Sequence, residues 1–245
     1  MAVVSAIVQE GWREVQARLY ALDVPQAFAE PLRFKIGEGG FVDIPPKEPI
    51  TPDATVDDLF SEGTALGSGG TATFTNGSAT VVGVGTAFLT DLVPGDWIKP
   101  GPTFGVLGGL EGANARSAGD IGSEYDVWGE VQTINSDLSI TLTAPYAGPT
   151  NAEARAVHKA EAPFFTFRKN FTPSDVLFTS AIPAITEFTA IILPPEANLN
   201  QLGVEPDLFE LGIFDANNVM MVHMTFPLET KTAAIQLNHI IELIY

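Results

Sequence analysis

The three histidines are the first residues to consider for chemistry: His158, His223 and His239. No His-x-x-x-His or His-Glu spacing relates them, so the sequence predicts no zinc-type ligand set. A hydrolytic triad requires a positioned serine beside a histidine and a carboxylate, and no Gly-x-Ser-x-Gly segment occurs. We therefore predict no catalytic, cofactor-binding or metal-binding residues, and we expect no enzyme.

One pair of carboxylates has the composition that glycoside hydrolysis uses. Glu124 and Asp126 stand beside Trp128, and two carboxylates act across the bond that a glycosidase cleaves. The same residues are also typical of the start of a strand that carries a buried tryptophan. The second interpretation is the one we adopt.

A second acidic group lies earlier in the chain. Asp57, Asp58 and Glu62 are close enough in sequence for a weak cation site. Their spacing does not match a calcium-binding loop. We interpret them as part of a solvated linker.

Composition excludes several function classes. The 245 residues include 30 acidic and 12 basic side chains, a formal charge of -18, whereas a nucleic-acid-binding protein needs a basic face. The absence of cysteine excludes disulfides and thiolate metal sites. No apolar run approaches the roughly 20 residues that span a bilayer, and the N-terminus lacks the basic start of a signal peptide. We expect no nucleic-acid or membrane partner. We also expect the chain to be synthesised in a cytoplasm.

The first third of the chain predicts a helix, a strand and a connector. Val4, Val8, Trp12, Val15 and Leu19 recur at spacings of three and four, which predicts a helix over residues 3–22. The segment PLRFKIG alternates apolar and basic residues as a strand does. Residues 42–67 are acidic and proline-rich, which indicates an extended connector.

Residues 70–148 have the pattern of a small β-module. The run GTATFTNGSATVVGVGTAF alternates on both sides of an Asn-Gly pair, which predicts a hairpin. DLVPGDWIK predicts a turn that leads into a strand. Residues 100–124 are glycine-rich and indicate a long irregular loop. VQTINSDLSITLTAPY predicts two further strands with a turn at NSDL.

Strand patterns return in the final third. Residues 151–161 are polar and alanine-rich, which we interpret as a second connector or a short helical turn. ITEFTAIILPP predicts a strand whose residues 190–193 are buried on both faces. LFELGIFDANNVMMVHMTF predicts a hairpin with its turn at DANN, and AIQLNHIIELIY a terminal strand.

The two connectors bracket the module, which indicates an insertion, because loop sites tolerate added domains. We expect an outer attachment domain of residues 1–66 and 151–245, including the N-terminal helix, and an inserted module of residues 67–150. The predicted fold is mainly β: an N-terminal helix plus a β-sandwich-like outer domain with an inserted small β-barrel-like module.

Two regions resemble proteins of tailed bacteriophages. GTATFTNGSATVVGVGTAF, LVPGDWI and INSDLSITLTAPYAG resemble a small β-module that recurs in tail-fibre and other virion proteins. FELGIFDANNVMMVHMTFP resembles a hairpin in the N-terminal regions of tail-collar and side-fibre proteins, which attach a fibre to the baseplate or tail. The resemblance covers roughly half of the chain and carries no catalytic motif.

The resemblance implies a structural protein of a virion, assembled in the bacterial host cytoplasm. It implies a tail, baseplate, collar or fibre-attachment position, docking on other virion proteins, and a symmetric homo-oligomer, with a trimer as the first expectation. We expect the docking contacts from apolar residues: Phe164, Phe165, Phe167, Met220, Met221 and residues 240–245.

Three alternatives remain open from the sequence. The first is a carbohydrate-binding host-adhesion module that uses the loop at 100–124 with Trp97 or Trp128. The second is a head or neck decoration protein, and the third is a hydrolase of cell-surface polysaccharide. The sequence leaves open the copy number, the symmetry and the identity of the neighbouring subunits.

Overall fold

A computed structural model describes residues 5–8, 31–42, 47–52, 55–56, 58–101, 127–148, 150–151, 154–171, 173–179, 185–215 and 219–244. The fold is mainly β, as predicted, and includes a closed six-stranded barrel. The strands, in chain order, are β1 (Ser5–Val8), β2 (Pro31–Gly37), β3 (Phe41–Val42), β4 (Glu48–Pro49), β5 (Thr64–Ala65), β6 (Thr71–Thr73), β7 (Thr80–Val84), β8 (Trp97–Pro100), β9 (Gly129–Ser136), β10 (Ser139–Leu142), β11 (Arg155–Ala160), β12 (Thr166–Asn170), β13 (Val176–Thr179), β14 (Ile185–Ile192), β15 (Asp207–Asp215), β16 (Met220–Thr230) and β17 (Leu237–Ile244).

Helical structure is sparse among the described residues. It consists of the four-residue helix α1 (Phe88–Asp91) and two 3₁₀ turns, Phe60–Glu62 and Pro173–Asp175. The glycine- and proline-rich composition is consistent with this, because those residues favour turns over helix interiors.

The predicted N-terminal helix is not supported. Ser5–Val8 form a strand that pairs antiparallel with β16, from Ser5 opposite Thr225 to Val8 opposite Val222. β-branched residues favour a strand when a sheet edge is present to pair with, and that edge cannot be read from local spacing. The rest of the predicted helix, residues 3–4 and 9–22, lies outside the described part of the chain.

The largest unit outside the barrel is a five-stranded antiparallel sheet, here called the central sheet. Its order is β1-β16-β15-β2-β12. The predicted hairpin is confirmed in its strands: β15 and β16 pair antiparallel, and the backbone N–H of Asp215 donates to the Val219 carbonyl at 3.0 Å. Residues 216–218 of its turn are not described.

A three-stranded sheet, β13-β14-β17, shares a hydrophobic core with the central sheet. From β14, Phe188, Ala190 and Ile192 are buried in this core. The prediction that residues 190–193 are buried on both faces is wrong: Ile191 is half-buried and Leu193 is exposed. The apolar run therefore faces a core on one side only.

The barrel closes in the order β6-β7-β10-β9-β8-β11, because β11 pairs with both β6 and β8. The predicted Asn-Gly hairpin is confirmed by the pairing of β6 with β7, and Gly77 adopts the left-handed φ of 76° that such a turn requires. A separate hydrophobic cluster fills the barrel, with Phe74, Phe88 and Ile140 fully buried.

The predicted second connector at 151–161 is wrong in its central part. Residues 155–160 form β11, which closes the barrel, and β5 pairs with the same strand. The alternation in RAVHKA is too weak to identify a strand without its neighbours. Its Val157 points into the barrel core.

Candidate functional site: an ion cluster between the barrel and the central sheet

One face of the central sheet is polar although it is buried. In one row across the strands, Arg168 lies opposite Lys35, Lys35 opposite Gly212, and Gly212 opposite His223. The next row holds Thr166, Gly37, Glu210 and Thr225. Directly opposite residues in an antiparallel sheet share a face, so these side chains form one polar surface, which the segment 58–62 covers.

Glu210 holds the covering segment in place. Its carboxylate accepts hydrogen bonds from the backbone N–H groups of Phe60 at 2.9 Å and Ser61 at 2.7 Å. These donors begin the 3₁₀ turn Phe60–Glu62, and the first N–H groups of a helical turn have no partner within the turn. Gly37 permits the close approach, since a Cβ there would lie 2.7 Å from the Ser61 Cβ.

Glu62 lies at the centre of the cluster and is fully buried. Arg168 Nη2 donates to both of its oxygens, at 2.6 and 2.7 Å, and Lys99 Nζ donates to Oε2 at 2.5 Å. Lys35 Nζ lies 3.3 Å from Oε1. The three cations come from β12, β8 and β2, so one carboxylate joins the barrel strand β8 to two strands of the central sheet.

Asp58 is the second carboxylate that contacts Lys35. Lys35 Nζ donates to both Asp58 oxygens at 2.8 Å, and it also lies 4.3 Å from the centre of the Phe214 ring. Lys99 Nζ is similarly placed, 4.9 Å from the centre of the Trp128 ring. The buried cations are thus satisfied by carboxylates and by aromatic faces.

The two carboxylates respond to their surroundings in opposite directions. Burial by itself would raise the pKa of Glu62, but Arg168, Lys99 and Lys35 together hold that pKa well below its ordinary value. Burial raises the pKa of Asp58, and Lys35 offsets only part of the effect. Glu62 is therefore the fixed negative charge of the cluster.

His158 ties the barrel strand β11 to the same turn. Its Nδ1 lies 3.0 Å from the Glu62 carbonyl oxygen, which fixes Nδ1 as the protonated nitrogen, because a carbonyl only accepts. Burial lowers the pKa of His158, and the neighbouring Lys99 lowers it further. The neutral ring is the form that this site accommodates.

The arrangement packs the barrel against the central sheet. Glu62 and the Lys99 side chain are closed to solvent, so no substrate reaches them. The sequence-based interpretation of Asp58 and Glu62 as a solvated linker is wrong, because both carboxylates are paired with lysine or arginine side chains. Asp57 lies outside the described residues.

The histidines do not come together. His223 is buried with Nε2 3.3 Å from Glu210 Oε2, and its ring centre lies 5.5 Å from that of Phe60. His239 packs against Phe226, with ring centres 4.8 Å apart. Within the described ranges, no three histidine or carboxylate side chains are placed to share a metal ion.

No family model, curated protein or solved structure matches this chain. Function must therefore be argued from the residues and their geometry. In the part of the chain that the structure describes, no helix has the length and apolar character needed to cross a membrane.

An open cleft of about 320 Å³ lies beside the barrel. Its walls include Trp97, Trp128, Glu130, Tyr146 and Gln201. Trp128 is buried, as predicted, and its indole N–H donates to the Phe164 carbonyl at 2.8 Å, so its polar group is already used. Trp97 is half-buried. The acids predicted beside Trp128, Glu124 and Asp126, are not among the described residues.

Most of the apolar residues expected to form docking contacts are buried instead. Phe165, Phe167, Met220 and Met221 are at most 3% exposed. They fill the cores on the two faces of the central sheet. Among the apolar members of the predicted set, Ile240 is the described residue with a broadly exposed side chain, at 62%.

We expect the free energy of unfolding to fall as the pH drops below about 6.5, the pKa of histidine in an unfolded chain. The pKa of His158 is lower in the folded protein, so the unfolded chain binds the proton more readily in the window below 6.5. The stability that neutral His158 contributes is lost across that window. Urea unfolding at about pH 7.5 and 5.5 measures the difference.

His158→Gln is the matching variant, because its amide can still donate to the Glu62 carbonyl but does not titrate. The difference in stability between the two pH values should shrink in this variant. An undiminished difference would show that other groups cause the pH dependence.

Proposed function

We propose that this chain is a non-enzymatic structural component of a tailed-phage virion, at a tail, baseplate, collar or fibre-attachment position. It docks on neighbouring virion proteins and forms a symmetric homo-oligomer, with a trimer as the first expectation. The resemblance of the module and of the β15–β16 hairpin to phage proteins motivates the proposal. Acting in a virion, it needs neither nucleic acid nor a membrane as a partner.

The observation that carries the proposal is the closed state of the Glu62 cluster. The described groups best suited to acid–base chemistry, Glu62, Lys99 and Glu210, are buried and bonded to one another or to the backbone. Large apolar side chains are exposed elsewhere, with Val84 65% and Ile240 62% accessible. Charged groups that are bonded inside the protein, together with apolar side chains exposed on its surface, favour docking over catalysis.

In this proposal the chain consists of a carrier and a guest. The carrier, residues 1–66 and 151–245, is a β-sandwich-like attachment domain built from the central and three-stranded sheets. The guest, residues 67–150, supplies five of the six barrel strands, β6 to β10. The sixth, β11, comes from the carrier segment and closes the barrel, β5 pairs with β11, and Glu62 fixes the guest to the carrier.

Sedimentation with purified particles tests the proposal. Tagged chain, supplied during assembly of the phage that encodes it, should sediment with the particle and remain there after washing at high salt. Light scattering on the free chain should give a discrete oligomer. A chain that stays monomeric and absent from the particle would contradict the proposal, and a position on the head or neck would favour the decoration alternative.

A carbohydrate-binding host-adhesion module is the second candidate, favoured by the cleft beside Trp97. Trp97, half-buried, lines the cleft together with Glu130 and Gln201 and offers a stacking face beside polar groups. Trp97→Ala should abolish binding on a glycan array if the candidate is right. The control is Leu89→Ala, an exposed apolar side chain that is not among the residues lining the cleft. Wild-type chain that binds no glycan rules the candidate out.

A further inference from the structure

We propose that the outer face of the three-stranded sheet is a docking surface for a cationic, strand-forming segment of a neighbouring protein. This inference rests on the proposed docking function and names the chemistry of the partner. The surface is formed by Leu177, Glu187, Thr189, Ile240 and Glu242, and is here called the outer sheet face.

The register of the sheet places these residues together. Leu177 lies opposite Glu187, and Glu187 lies opposite Glu242. In the adjacent row Thr189 lies opposite Ile240. The alternate residues Phe188 and Ile241 are buried in the core, so the row containing Glu187 and Glu242 faces away from it.

Two carboxylates therefore stand directly opposite each other on the outer sheet face, with Glu242 exposed and Glu187 half-buried. Like charges at such positions destabilise a sheet, because their Cβ atoms lie only about 5 Å apart. Among the described residues, no ion pair joins Glu187 or Glu242 to a cation. The repulsion between the two carboxylates destabilises the sheet in the isolated chain, and a cation from a partner would relieve it.

The surrounding residues supply apolar contact. Leu177 is 59% and Ile240 62% exposed, and both belong to the outer sheet face. Side chains of this kind on a face with unpaired acids fit a partner that alternates basic and apolar residues. A strand with that alternation projects its basic side chains from one face and its apolar side chains from the other. Added beside β17, it would set the basic residues on the outer sheet face, where their aliphatic stems can pack on Leu177 and Ile240.

The charge of the chain argues against a second copy as the occupant. The chain carries 30 acidic and 12 basic residues, and Lys35, Lys99 and Lys231 are buried. A second copy docked face to face would bring further carboxylates against Glu187 and Glu242. A neighbouring protein with a basic segment is electrostatically complementary instead.

The edge of the sheet offers a route for strand addition. Within the described sheet, β14 is the strand that pairs with β17, and no described strand covers the other side of β17. An extended segment added there would receive backbone hydrogen bonds from β17 and place its lysines near Glu242. Lys169, the described cation bonded to β14, is occupied by the Ile191 carbonyl and Glu196.

The test measures binding of a labelled synthetic peptide of about eight residues, a common strand length, in which lysine alternates with valine. Fluorescence anisotropy compares the full wild-type chain with Glu187→Gln/Glu242→Gln. The control is Glu161→Gln/Glu205→Gln, which removes the same charge from exposed positions outside the outer sheet face. We expect binding to weaken about tenfold in the first variant, a loss of about 1.4 kcal/mol, and to stay near the wild-type value in the control.

Three results would overturn the inference. Equal weakening in both double variants would show attraction to the overall charge rather than to this face. Dimerisation of the free chain that Ile240→Lys abolishes would make a second copy the occupant. If Glu187→Gln/Glu242→Gln still joins the particle like the wild type, this inference fails while the proposed function stands.

Discussion

Glu62→Gln is expected to lower the free energy of unfolding by about 3–5 kcal/mol, the cost of leaving buried charges without their partner. The amide keeps the shape of the side chain, but Arg168 and Lys99 lose the carboxylate that they contact at 2.5–2.7 Å. Because each kcal/mol shifts the melting temperature of a chain of this size by about 2–4 °C, the variant should melt roughly 10 °C below the wild type. Calorimetry and urea unfolding provide the two measurements.

The control for Glu62 is Glu161→Gln, an exposed glutamate for which a change within about 0.5 kcal/mol is expected. A rescue experiment isolates the charge effect. Lys99→Met should cost less in the Glu62→Gln background than in the wild type, since neighbouring charges couple by about 0.5–3 kcal/mol. Strictly additive losses would contradict the account of a shared ion cluster.

The sequence identifies the elements of the fold better than the cluster that joins them. Alternation and turn residues predict β2, the β6–β7 hairpin and the β15–β16 hairpin, because these signals lie within one short segment. The cluster depends on contacts between Glu62 and Lys35, Lys99 and Arg168, which are far apart in the chain. A buried glutamate in an acidic, proline-rich segment looks like a solvated one until the cations that surround it are known.

The errors in β1 and β11 have a related origin. Ser5–Val8 and residues 155–160 become strands because an unpaired edge of another sheet is available, β16 for the first and β6 with β8 for the second. Their local patterns are short and compatible with a helix or a loop. Tertiary pairing therefore decides their conformation.

Glu210→Ala is expected to cost about 2–5 kcal/mol. The substitution removes the acceptor for the buried N–H groups of Phe60 and Ser61, and each unsatisfied buried donor costs about 1–3 kcal/mol. It also releases the turn that carries Glu62, so the ion cluster should loosen with it. Urea unfolding gives the free energy, and amide hydrogen exchange reports the turn directly.

The exchange measurement distinguishes this mechanism from a general loss of packing. Under conditions that report local opening, the Phe60 and Ser61 amides should lose protection in Glu210→Ala, while strand amides of the barrel such as Ile140 keep theirs. Glu205→Ala, an exposed change before the same strand, should leave all three protected. Unchanged protection at Phe60 and Ser61 would mean that Glu210 does not hold the turn.

The proposed docking function requires the chain to be present in an assembled particle. The most direct measurement is electron microscopy of assembled particles that carry this chain fused to a compact label. We expect extra density at a discrete, symmetry-related set of positions on the tail, baseplate, collar or fibre attachment. Particles that assemble normally and show no label would contradict it.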